Sequence, residues 1–423
     1  MAYERRILDE VLDELFPHLA AISVEGAKGV GKTATGTQRA ESVLTLTSPQ
    51  QRDVVVANPD YITQLPPPLL IDEWQLVPEI WDRVRHAVDA DATGGRFLLA
   101  GSATVPAGVR IHSGAGRIVS LTMRPLTVHE RGLAESTVSL RALLTGTQET
   151  VAGASPLRLP DYVDEILASG FPGIRGLPER ARQVQLDSYL IRIVERELAE
   201  NGVTVRRPEA LKAWLTAYAA ATATDAAYTT ILDAATAGDI DKPARSTVDA
   251  YREQLARLFI LDPIPAWLPA FNPLKRLARS PKHHLVDPAL SARLVGVSKP
   301  GLLAGEGRRV DQRTGTWLGA LFESLTAQSI RVYAEAAWSS VGHLRTQDGT
   351  REVDLIVEGE DHRVLAIEVK LAPSVGDSDV RHLNWLHTHL GDRLVDKLVV
   401  TTGDVAYRRS DGVAVVPLAL LGP

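Results

Sequence analysis

Three absences limit what this chain of 423 residues can be. It contains no cysteine, which excludes disulfides and zinc sites with cysteine ligands, so packing must stabilise the fold. No apolar run approaches the roughly 20 residues that a helix needs to cross a bilayer, and the N-terminus lacks the apolar stretch of a signal peptide. The net charge of −6 argues against a globally basic surface for nucleic acid. We therefore expect a cytoplasmic protein with no membrane partner, in which any DNA contact is local.

The most informative segment that is present is a glycine-rich loop. The apolar run Ala20 to Glu25 predicts a strand, and the residues that follow it form a phosphate-binding loop: Gly26, Ala27, Lys28, Gly29, Val30, Gly31, Lys32 and Thr33. Backbone N–H groups of such a loop, together with the positive end of the next helix, surround the β-phosphate of a nucleotide. Lys32 is expected to reach the β- and γ-phosphates, and Thr33 to ligate Mg²⁺. The segment therefore predicts binding of ATP with Mg²⁺.

A second apolar run ends in the two carboxylates that nucleotide hydrolysis requires. Leu69 to Ile71 predicts a buried strand, and Asp72 and Glu73 follow it directly. Asp72 is expected to hold the Mg²⁺ through water, and Glu73 to orient and deprotonate the attacking water. ATP hydrolysis is therefore the predicted activity. A small-molecule kinase fits less well, because such kinases rarely carry a long C-terminal extension.

Two more polar residues in the N-terminal part of the chain are candidates for catalytic roles. Ser102 follows the strand-like run Phe97 to Ala100 and is placed to sense the γ-phosphate, although Ser is equally favoured as a helix N-cap. Arg117 precedes the run Ile118 to Met123 and is a candidate arginine finger, which neutralises charge on the transferred phosphoryl group. A solvated arginine at a strand edge is the alternative. A finger that acts in trans requires an oligomer.

Basic residues cluster around a helix predicted in the segment 241–304, the third of four units that we expect. The helix, Thr247 to Phe259 with Ser246 as its cap, has an apolar face and resembles the recognition helix of a winged helix. The segment Leu274 to His284 could form a basic wing against phosphates. Winged folds also serve protein contacts, so both kinds of partner stay open. The candidate nucleic-acid contacts are Arg245, Arg252, Lys275, Arg276, Arg279 and Lys282.

The C-terminal unit holds a second constellation of carboxylates. Asp354 and Glu368 lie in two strand-like runs that a short hairpin would place side by side, and Glu323 lies on a helical pattern. Lys370 shares a strand face with Glu368 because side chains alternate with a period of two. This is the pattern of a PD-(D/E)xK nuclease core, in which the carboxylates hold Mg²⁺ and the lysine positions or activates water. Such folds also serve as binding modules without cleavage, so both roles stay open.

The motifs, taken in their order, resemble a known family. Prokaryotic AAA-type ATPases (AAA_14) with a C-terminal DUF4143 region carry similar segments, which here are Gly26 to Thr33, Leu69 to Gln75, Phe97 to Thr104, and Arg117 followed by Met123-Arg124-Pro125-Leu126. Further stretches that fit are Ser169 to Gly173 with Tyr189 to Glu197, Ser246 to Trp267, and His284 to Asp287. The resemblance implies an AAA core followed by a helical segment, a winged-helix element and a nuclease-like domain. It also implies adenine rather than guanine.

The predicted fold class is α/β, with a P-loop NTPase parallel sheet of the AAA+/ASCE type built by crossovers. We place the ATPase core at 1–135, a helical lid or connector at 136–240, a winged-helix-like unit at 241–304 and a PD-(D/E)xK nuclease-like α/β domain at 305–423. The function that we favour is an oligomeric motor, a homo-oligomeric ring such as a hexamer, that remodels or translocates DNA. The alternatives are an ATP-regulated nuclease and a nucleotide-driven switch that binds protein partners.

Overall fold

A computed structural model gives the arrangement of most of the chain. It describes residues 3–102, 114–198, 207–236, 245–269, 277–278, 280–305 and 316–423. Within these ranges, no helix is both long and apolar enough to cross a lipid bilayer.

The N-terminal unit is a parallel sheet whose strand order brings the predicted nucleotide elements to one edge. Its strands are β1 (Ala21–Glu25), β2 (Ser42–Thr45), β3 (Leu69–Asp72), β4 (Phe97–Gly101) and β5 (Ile118–Thr122). They lie in the order β2-β3-β4-β1-β5, and each neighbouring pair is parallel. Because β4 lies between β1 and β3, the residue after β4 is flanked by the glycine-rich loop and by the Asp-Glu pair. Strands β1, β3, β4 and β5 each agree with the run predicted from the sequence to within one residue at either end.

Helices cover both faces of this sheet, which explains why its strands are apolar throughout. They are α1 (Ile7–Leu15), α2 (Lys32–Thr37), α3 (Pro49–Ala57) and α4 (Glu79–Ala90), with 3₁₀ helices at Pro59–Thr63 and Trp74–Leu76. On one face Leu12 of α1 packs in a core with Ile22 of β1. On the other face Trp81 of α4 packs in a core with Ile71 of β3. The sheet is therefore buried on both sides, and its polar groups are concentrated at its ends.

The connector predicted as a helical lid is divided between two neighbours. Its elements are a 3₁₀ helix (His129–Arg131), β6 (Val138–Ser139), α5 (Leu140–Thr145), β7 (Gly153–Ala154), α6 (Leu159–Ala168), α7 (Pro172–Arg175) and α8 (Glu179–Arg192), which continues as a π-helical turn, Ile193–Glu197. Both β6 and β7 pair with strands near the C-terminus, so residues 138–154 are built into the last unit. Helix α8 lies instead beside the glycine-rich loop, where the Tyr189 hydroxyl donates to the Lys28 carbonyl at 3.1 Å.

The middle unit combines five described helices with an antiparallel ladder. Its helices are α9 (Pro208–Ala220), α10 (Tyr228–Ala235), α11 (Arg245–Arg257), α12 (Pro288–Val295) and α13 (Lys299–Leu303). After α11 the chain forms antiparallel bridges between Leu261 and Leu285 and between Ile264 and Lys282. The segment between α9 and α10 joins this ladder, because the N–H of residue 223 donates to the carbonyl of residue 283 at 2.8 Å. Helix α11 begins at Arg245, so Ser246 lies inside the helix. The prediction that Ser246 caps this helix is therefore wrong.

The C-terminal unit is a mixed sheet with a helix before it and a helix within it. Its elements are α14 (Trp317–Ala336), β8 (Ser340–Arg345), β9 (Glu352–Glu358), β10 (Val364–Lys370), α15 (Asp377–Leu390), β11 (Leu394–Thr401), β12 (Val405–Arg408), β13 (Ala414–Pro417) and β14 (Leu421–Gly422), with 3₁₀ helices at Gly391–Arg393 and Leu418–Leu420. Together with β7 the strands lie in the order β7-β12-β13-β11-β10-β9-β8. Strands β8, β9 and β10 are antiparallel neighbours, whereas β10, β11 and β13 are parallel. The remaining strand, β14, pairs with β6.

A partly buried network of charges joins the three units. Arg124, just after β5, donates to Asp262 of the middle unit at 2.8 Å and to Glu335 of α14 at 3.0 Å. Arg331, also on α14, forms an ion pair with Asp262 at 2.9 Å. Burial by itself raises the pKa of Asp262, but the guanidinium groups of Arg124 and Arg331 lower this pKa to about 2. The N-terminal sheet is therefore fixed to both later units at the end of β5.

Candidate nucleotide site and a second carboxylate cluster

The loop between β1 and α2 has a backbone that can surround an anion. Gly29 and Gly31 have φ angles of 85° and 110°, in the left-handed region that favours glycine. A Cβ on Gly26 would lie 2.2 Å from the carbonyl oxygen of Met123, so only glycine fits there. Successive amide groups in such a conformation form a concave site for phosphate.

Lys32 lies folded against the loop itself. Its Nζ donates to the carbonyl oxygens of Gly26 at 2.8 Å and Ala27 at 2.9 Å. Burial lowers the pKa of Lys32 to about 8, although the carboxylates of Glu73 and Asp72 act in the opposite direction. A neutral carbonyl is a weaker partner for an ammonium than a phosphate oxygen is. The lysine is therefore placed to exchange the loop carbonyls for a phosphate.

Thr33 and Asp72 meet where the sequence predicts a Mg²⁺ site. The Thr33 hydroxyl donates to Oδ1 of Asp72 at 2.8 Å. Burial raises the pKa of Asp72, and the hydrogen bond from Thr33 acts against this rise. A hydroxyl and a carboxylate are oxygen ligands of the kind that Mg²⁺ takes. These two residues therefore fit the metal that the loop motif implies.

Glu73 points toward the residue that follows β4. Its backbone has a φ of 56°, which is uncommon for a residue other than glycine. The Ser102 hydroxyl donates to Oε2 of Glu73 at 3.0 Å. The side-chain amide of Gln75 donates to the same carboxylate oxygen and, at 3.3 Å, to the Ser102 hydroxyl. Ser102 is thus a direct partner of the predicted catalytic base, and Gln75 is a third member that the sequence analysis did not assign.

Helix α8 adds an arginine that the sequence analysis also missed. A cavity of about 330 Å³ lies beside the loop, and its lining includes Lys28, Gly29, Ser102, Tyr189 and Arg192. The Arg192 side chain is exposed, and among the described residues it has no hydrogen-bond or ion-pair partner. No local motif marks this arginine, because only the packing of α8 brings it to the loop.

A second cavity, of about 500 Å³, lies along α2. Its lining includes Tyr3, Arg6, Thr35 and Gln38. The Tyr3 hydroxyl donates to Asp9 at 2.5 Å and lies 2.9 Å from Oγ1 of Thr35, which holds the ring in place. A cavity with an aromatic wall and a few polar groups is the usual surrounding of a small ligand. Tyr3 could not be assigned from the sequence, because it reaches α2 only through the fold.

Arg117 lies at the edge of the sheet opposite to the loop. It precedes β5, whose first residue pairs with the first residue of β1, whereas the loop follows the last residue of β1. A strand of this length spans roughly 17 Å. The Arg117 side chain is half-exposed and pairs with Asp89 at 2.8 Å. An arginine in this position cannot reach the loop of its own chain.

The predicted nucleic-acid contacts of the middle unit are described only in part. Arg252 stacks over the ring of Tyr228 at 4.4 Å and pairs with Asp249 at 3.4 Å. Lys282 is buried, with 1% of its surface exposed, so the prediction that it contacts nucleic acid is wrong. The reason is that the ladder of the middle unit packs against the C-terminal unit. The positions outside the described residues are Lys275, Arg276, Arg279 and the side chain of Arg245.

The carboxylates predicted for a nuclease-like site do come together. The antiparallel pairing of β9 with β10 brings Asp354 beside Glu368. The backbone N–H of Val369 donates to Oδ2 of Asp354 at 2.9 Å, and Lys370 donates to Glu368 at 3.0 Å. Burial raises the pKa of Glu368 well above its usual range, while the Lys370 ammonium acts against this rise.

A lysine from the middle unit lies at the centre of this cluster. The Nζ of Lys282 is 2.9 Å from Glu323, 2.9 Å from Asp354 and 3.0 Å from Glu352. Mg²⁺ requires oxygens at about 2.0 to 2.1 Å. Among the described residues, no group of three or more His, Asp or Glu side chains is arranged to hold a metal ion. The Mg²⁺ predicted for Glu323, Asp354 and Glu368 therefore does not fit, and the sequence analysis assigned neither Lys282 nor Glu352 to this cluster.

Family models match three parts of the chain. Residues 19–132 match an AAA domain, residues 318–421 match a domain of unknown function, DUF4143, and residues 159–301 match another, DUF8612. The chain combines an AAA domain with a C-terminal DUF4143 domain. The resemblance predicted from the sequence is thereby confirmed. The DUF8612 match spans α6 to α13, a stretch that the sequence analysis had divided at residue 240.

Two mycobacterial proteins align with nearly the whole chain. The uncharacterized proteins Rv2008c of Mycobacterium tuberculosis and Mb2031c of Mycobacterium bovis are each 26% identical over 433 residues, which cover 99% of this chain and 84% of the relative. Among solved structures, the Aeropyrum pernix ORC2 protein in its ADPNP-ADP complexes is 14% identical, with a TM-score of 0.28 and coverage of 70% of this chain and 92% of that one. The similarity to the mycobacterial relatives thus runs through the AAA and DUF4143 domains alike.

Proposed function

We propose that this protein hydrolyses ATP with Mg²⁺ at its AAA domain. The observation that carries the proposal is the meeting of a lysine, a hydroxyl and two carboxylates at the carboxyl edge of one parallel sheet. Lys32 lies on the loop, Thr33 is hydrogen-bonded to Asp72, and Glu73 is hydrogen-bonded to Ser102. Ligands of open α/β sheets bind at this edge, because the loops after the strands converge there.

Each of these side chains has its own task in the proposed reaction. Lys32 leaves the loop carbonyls and binds the β- and γ-phosphate oxygens. Thr33 and Asp72 would hold Mg²⁺, which would neutralise phosphate charge when it is bound. When the attacking water replaces the Ser102 hydroxyl as the hydrogen-bond donor to Glu73, the Glu73 carboxylate accepts a proton from that water. The Ser102 hydroxyl is then available to the γ-phosphate, so the hydrogen bond between these two residues reports the nucleotide state.

The base of the nucleotide is proposed to lie in the cavity along α2. The Tyr3 ring lines this cavity together with Gln38, next to the loop that takes the phosphates. An aromatic face and a side-chain amide are groups that can stack on a base and bond its edge. The choice of adenine rests on the match to the AAA domain.

Two arginines extend the proposal to an oligomer. Arg192 of α8 lines the cavity beside the loop and is proposed to bind phosphate within its own subunit. Arg117 lies at the far edge of the sheet, so it is proposed to act as an arginine finger on the nucleotide of a neighbouring subunit. The assembly that satisfies both roles is a homo-oligomeric ring, such as a hexamer, in which each subunit completes the site of the next.

DNA is the partner that we propose for the middle unit. Support comes from three helices, α9, α10 and α11, that precede an antiparallel ladder, because a winged helix has elements in a similar order. On α11, however, Arg252 pairs with Asp249 and Arg257 pairs with Glu253, at 3.4 Å and 2.7 Å. This balance of charge favours a protein partner as the alternative, since an uncompensated basic surface is what attracts phosphate.

The test is steady-state ATP hydrolysis with Mg²⁺, measured alone and with single-stranded, duplex, forked and four-way DNA. We expect hydrolysis that one DNA structure stimulates. Glu73→Gln is the matched variant, because it keeps the shape of the side chain but removes the base. Its turnover should fall on the order of 10³-fold while ATP binding is unchanged.

The outcomes separate the two parts of the proposal. Hydrolysis at the parental rate in Glu73→Gln would remove Glu73 from the role of base. Hydrolysis that no DNA stimulates would leave the ATPase intact and replace DNA by a protein partner. Absence of Mg²⁺-dependent hydrolysis under every condition would contradict the ATPase itself.

A further inference from the structure

We propose that the Lys282 ammonium is a built-in cation that takes the place of a divalent metal in the carboxylate cluster of the C-terminal unit. The cluster then joins the middle unit to the C-terminal unit and does not cleave phosphodiesters. The proposal goes beyond the ATPase and does not depend on it, since the cluster and the nucleotide site share no residue.

Carboxylates surround the Lys282 ammonium on several sides. Its Nζ donates to Glu323 and to Asp354, both at 2.9 Å, and forms an ion pair with Glu352 at 3.0 Å. These are ordinary distances between an ammonium and carboxylates. The position between these carboxylates is therefore occupied by a cation that belongs to the chain.

The backbone of Lys282 is held on both sides, so the start of its side chain is fixed beside the cluster. The N–H of Lys282 donates to the Ile264 carbonyl, and the Ile264 N–H donates back, both at 2.9 Å. The backbone of the next residue, His283, is hydrogen-bonded to the backbones of Ala223 and Thr224, both at 2.8 Å. Lys282 itself is 1% exposed, so the ammonium lies inside the protein.

The other groups of the predicted nuclease site also have partners, except for Oε1 of Glu368, which is buried and has no hydrogen bond among the described residues. The second oxygen of Asp354 accepts from the Val369 N–H at 2.9 Å. Lys370, which would position water in a nuclease, is bonded to Glu368 at 3.0 Å. A metal-activated hydroxide therefore has no place to form.

The cluster fastens units that are distant in the sequence. Lys282 comes from the ladder of the middle unit, Glu323 from α14, and Glu352 and Asp354 from β9. A second contact runs in parallel, because the N–H of Trp267 donates to the His343 carbonyl at 2.7 Å beside β8. The role that the carboxylates play here is to anchor the middle unit on the C-terminal sheet.

The test uses Mn²⁺ as the probe, on full-length protein freed of nucleotide and metal. We expect no Mn²⁺ bound at the cluster of the parental protein and no change in its melting temperature. Lys282→Ala should melt at a lower temperature, bind a single Mn²⁺ and regain much of the loss when Mn²⁺ is added, because three carboxylates then surround an empty position. Electron paramagnetic resonance of free Mn²⁺ and thermal unfolding measure both effects.

Two controls locate the ion. Lys299→Ala removes a lysine that pairs on the surface with Asp164, and it should show neither the loss nor the rescue. Lys282→Ala combined with Asp354→Asn should lose the Mn²⁺ rescue. A Mn²⁺ signal that disappears in Asp72→Asn belongs to the AAA domain and is subtracted.

Several results would overturn the proposal. One is Mn²⁺ binding by the parental protein that Asp354→Asn abolishes. Another is Mg²⁺- or Mn²⁺-dependent DNA cleavage by the parental protein that is lost in Lys370→Ala. Both use the parental lysine, so they decide the matter even where Lys282→Ala does not fold. A Lys282→Met variant that is as stable as the parental protein would also contradict it.

Discussion

Two buried lysines of this protein lie beside carboxylates, and they differ in what holds them. Lys32 donates to two neutral carbonyl oxygens of its own loop, and burial lowers its pKa to about 8. Lys282 donates to Glu323 and Asp354 and forms an ion pair with Glu352, and these carboxylates raise its pKa well above the usual range although burial acts against them. Lys32 is therefore a cation ready for a phosphate, whereas Lys282 already has its anions. The comparison shows that a lysine near acidic residues marks an open site only when its own hydrogen bonds go to neutral groups.

The largest effect is expected at the open site. Lys32→Ala should weaken ATP binding on the order of 10³-fold, because it removes two charge-assisted bonds worth about 1.5 to 3 kcal/mol each. Titration with a fluorescent ATP analogue measures the change. Lys28→Ala is the matched control, since its exposed side chain pairs with Glu197 at 2.7 Å and should cost less than about tenfold. Parental affinity in Lys32→Ala would show that the loop lysine does not take the phosphates.

The stability of the two alanine variants should differ in the opposite sense. Lys282→Ala should lower the free energy of unfolding by about 3 to 5 kcal/mol, because it leaves buried carboxylates without a counter-charge. Lys32→Ala should lower it by less, about 1 to 3 kcal/mol, since the lost partners are two buried but neutral carbonyl groups. Urea unfolding followed by tryptophan fluorescence measures both. Equal losses in the two variants would contradict the view that Lys282 is held by carboxylates in the fold whereas Lys32 is available for a ligand.

The open site is also expected to need a second subunit. Arg117→Ala should lower ATP turnover by about 10²-fold, as loss of one group that stabilises the transition state does. Mixing Arg117→Ala with Glu73→Gln subunits should restore part of the activity, because some sites then combine an intact base with an intact arginine. Arg83→Ala, at another exposed arginine of the same unit, is the control and should leave turnover unchanged. Failure of restoration at every mixing ratio would count against action in trans.

The smallest effect is expected from a histidine near Lys282. Burial, with the charges of Lys282 and Arg331, lowers the pKa of His284 to about 3. Between that value and the unfolded pKa of about 6.5, the unfolded chain binds a proton that the folded protein does not, so stability falls as the pH drops. His284→Leu should reduce this fall by about 2 kcal/mol between pH 6.5 and 5. Urea unfolding at several pH values measures the slope, and an unchanged slope would mean that His284 is not the group responsible.

The AAA site shows how far local sequence reasoning reaches. The strand, loop and helix from Ala21 to Thr37 are contiguous, so each residue acts through its immediate neighbours and its role can be predicted from the pattern. Asp72, Glu73 and Ser102 follow buried strands, and parallel strands end at one edge. Their convergence needs only the assumption of a parallel sheet. Arg192 and Gln75 could not be found in this way, because their roles depend on how a later helix and a turn pack.

Boundaries between units were beyond the reach of composition. Residues 138–154 lie in a stretch with helical spacing, yet β6 and β7 pair with strands more than 250 positions later in the chain. Each of these strands is only two residues long, so neither has a hydrophobic period that could be recognised. These residues form strands only because they pair with strands from the C-terminal part of the chain, which the local sequence does not reveal.

The sequence by itself determined the nucleotide-binding loop, its partner carboxylates, the parallel sheet and the hairpin that places Asp354 beside Glu368, because all of these follow from short segments and their periodicity. Only the tertiary structure decided what the C-terminal carboxylates do. Lys282 looks like a surface cation in its basic segment, and nothing local reveals that Glu323, Glu352 and Asp354 surround it. A charge that is buried between two units takes its meaning from the distant charges that the fold brings to it, and these cannot be deduced from its neighbours in the chain.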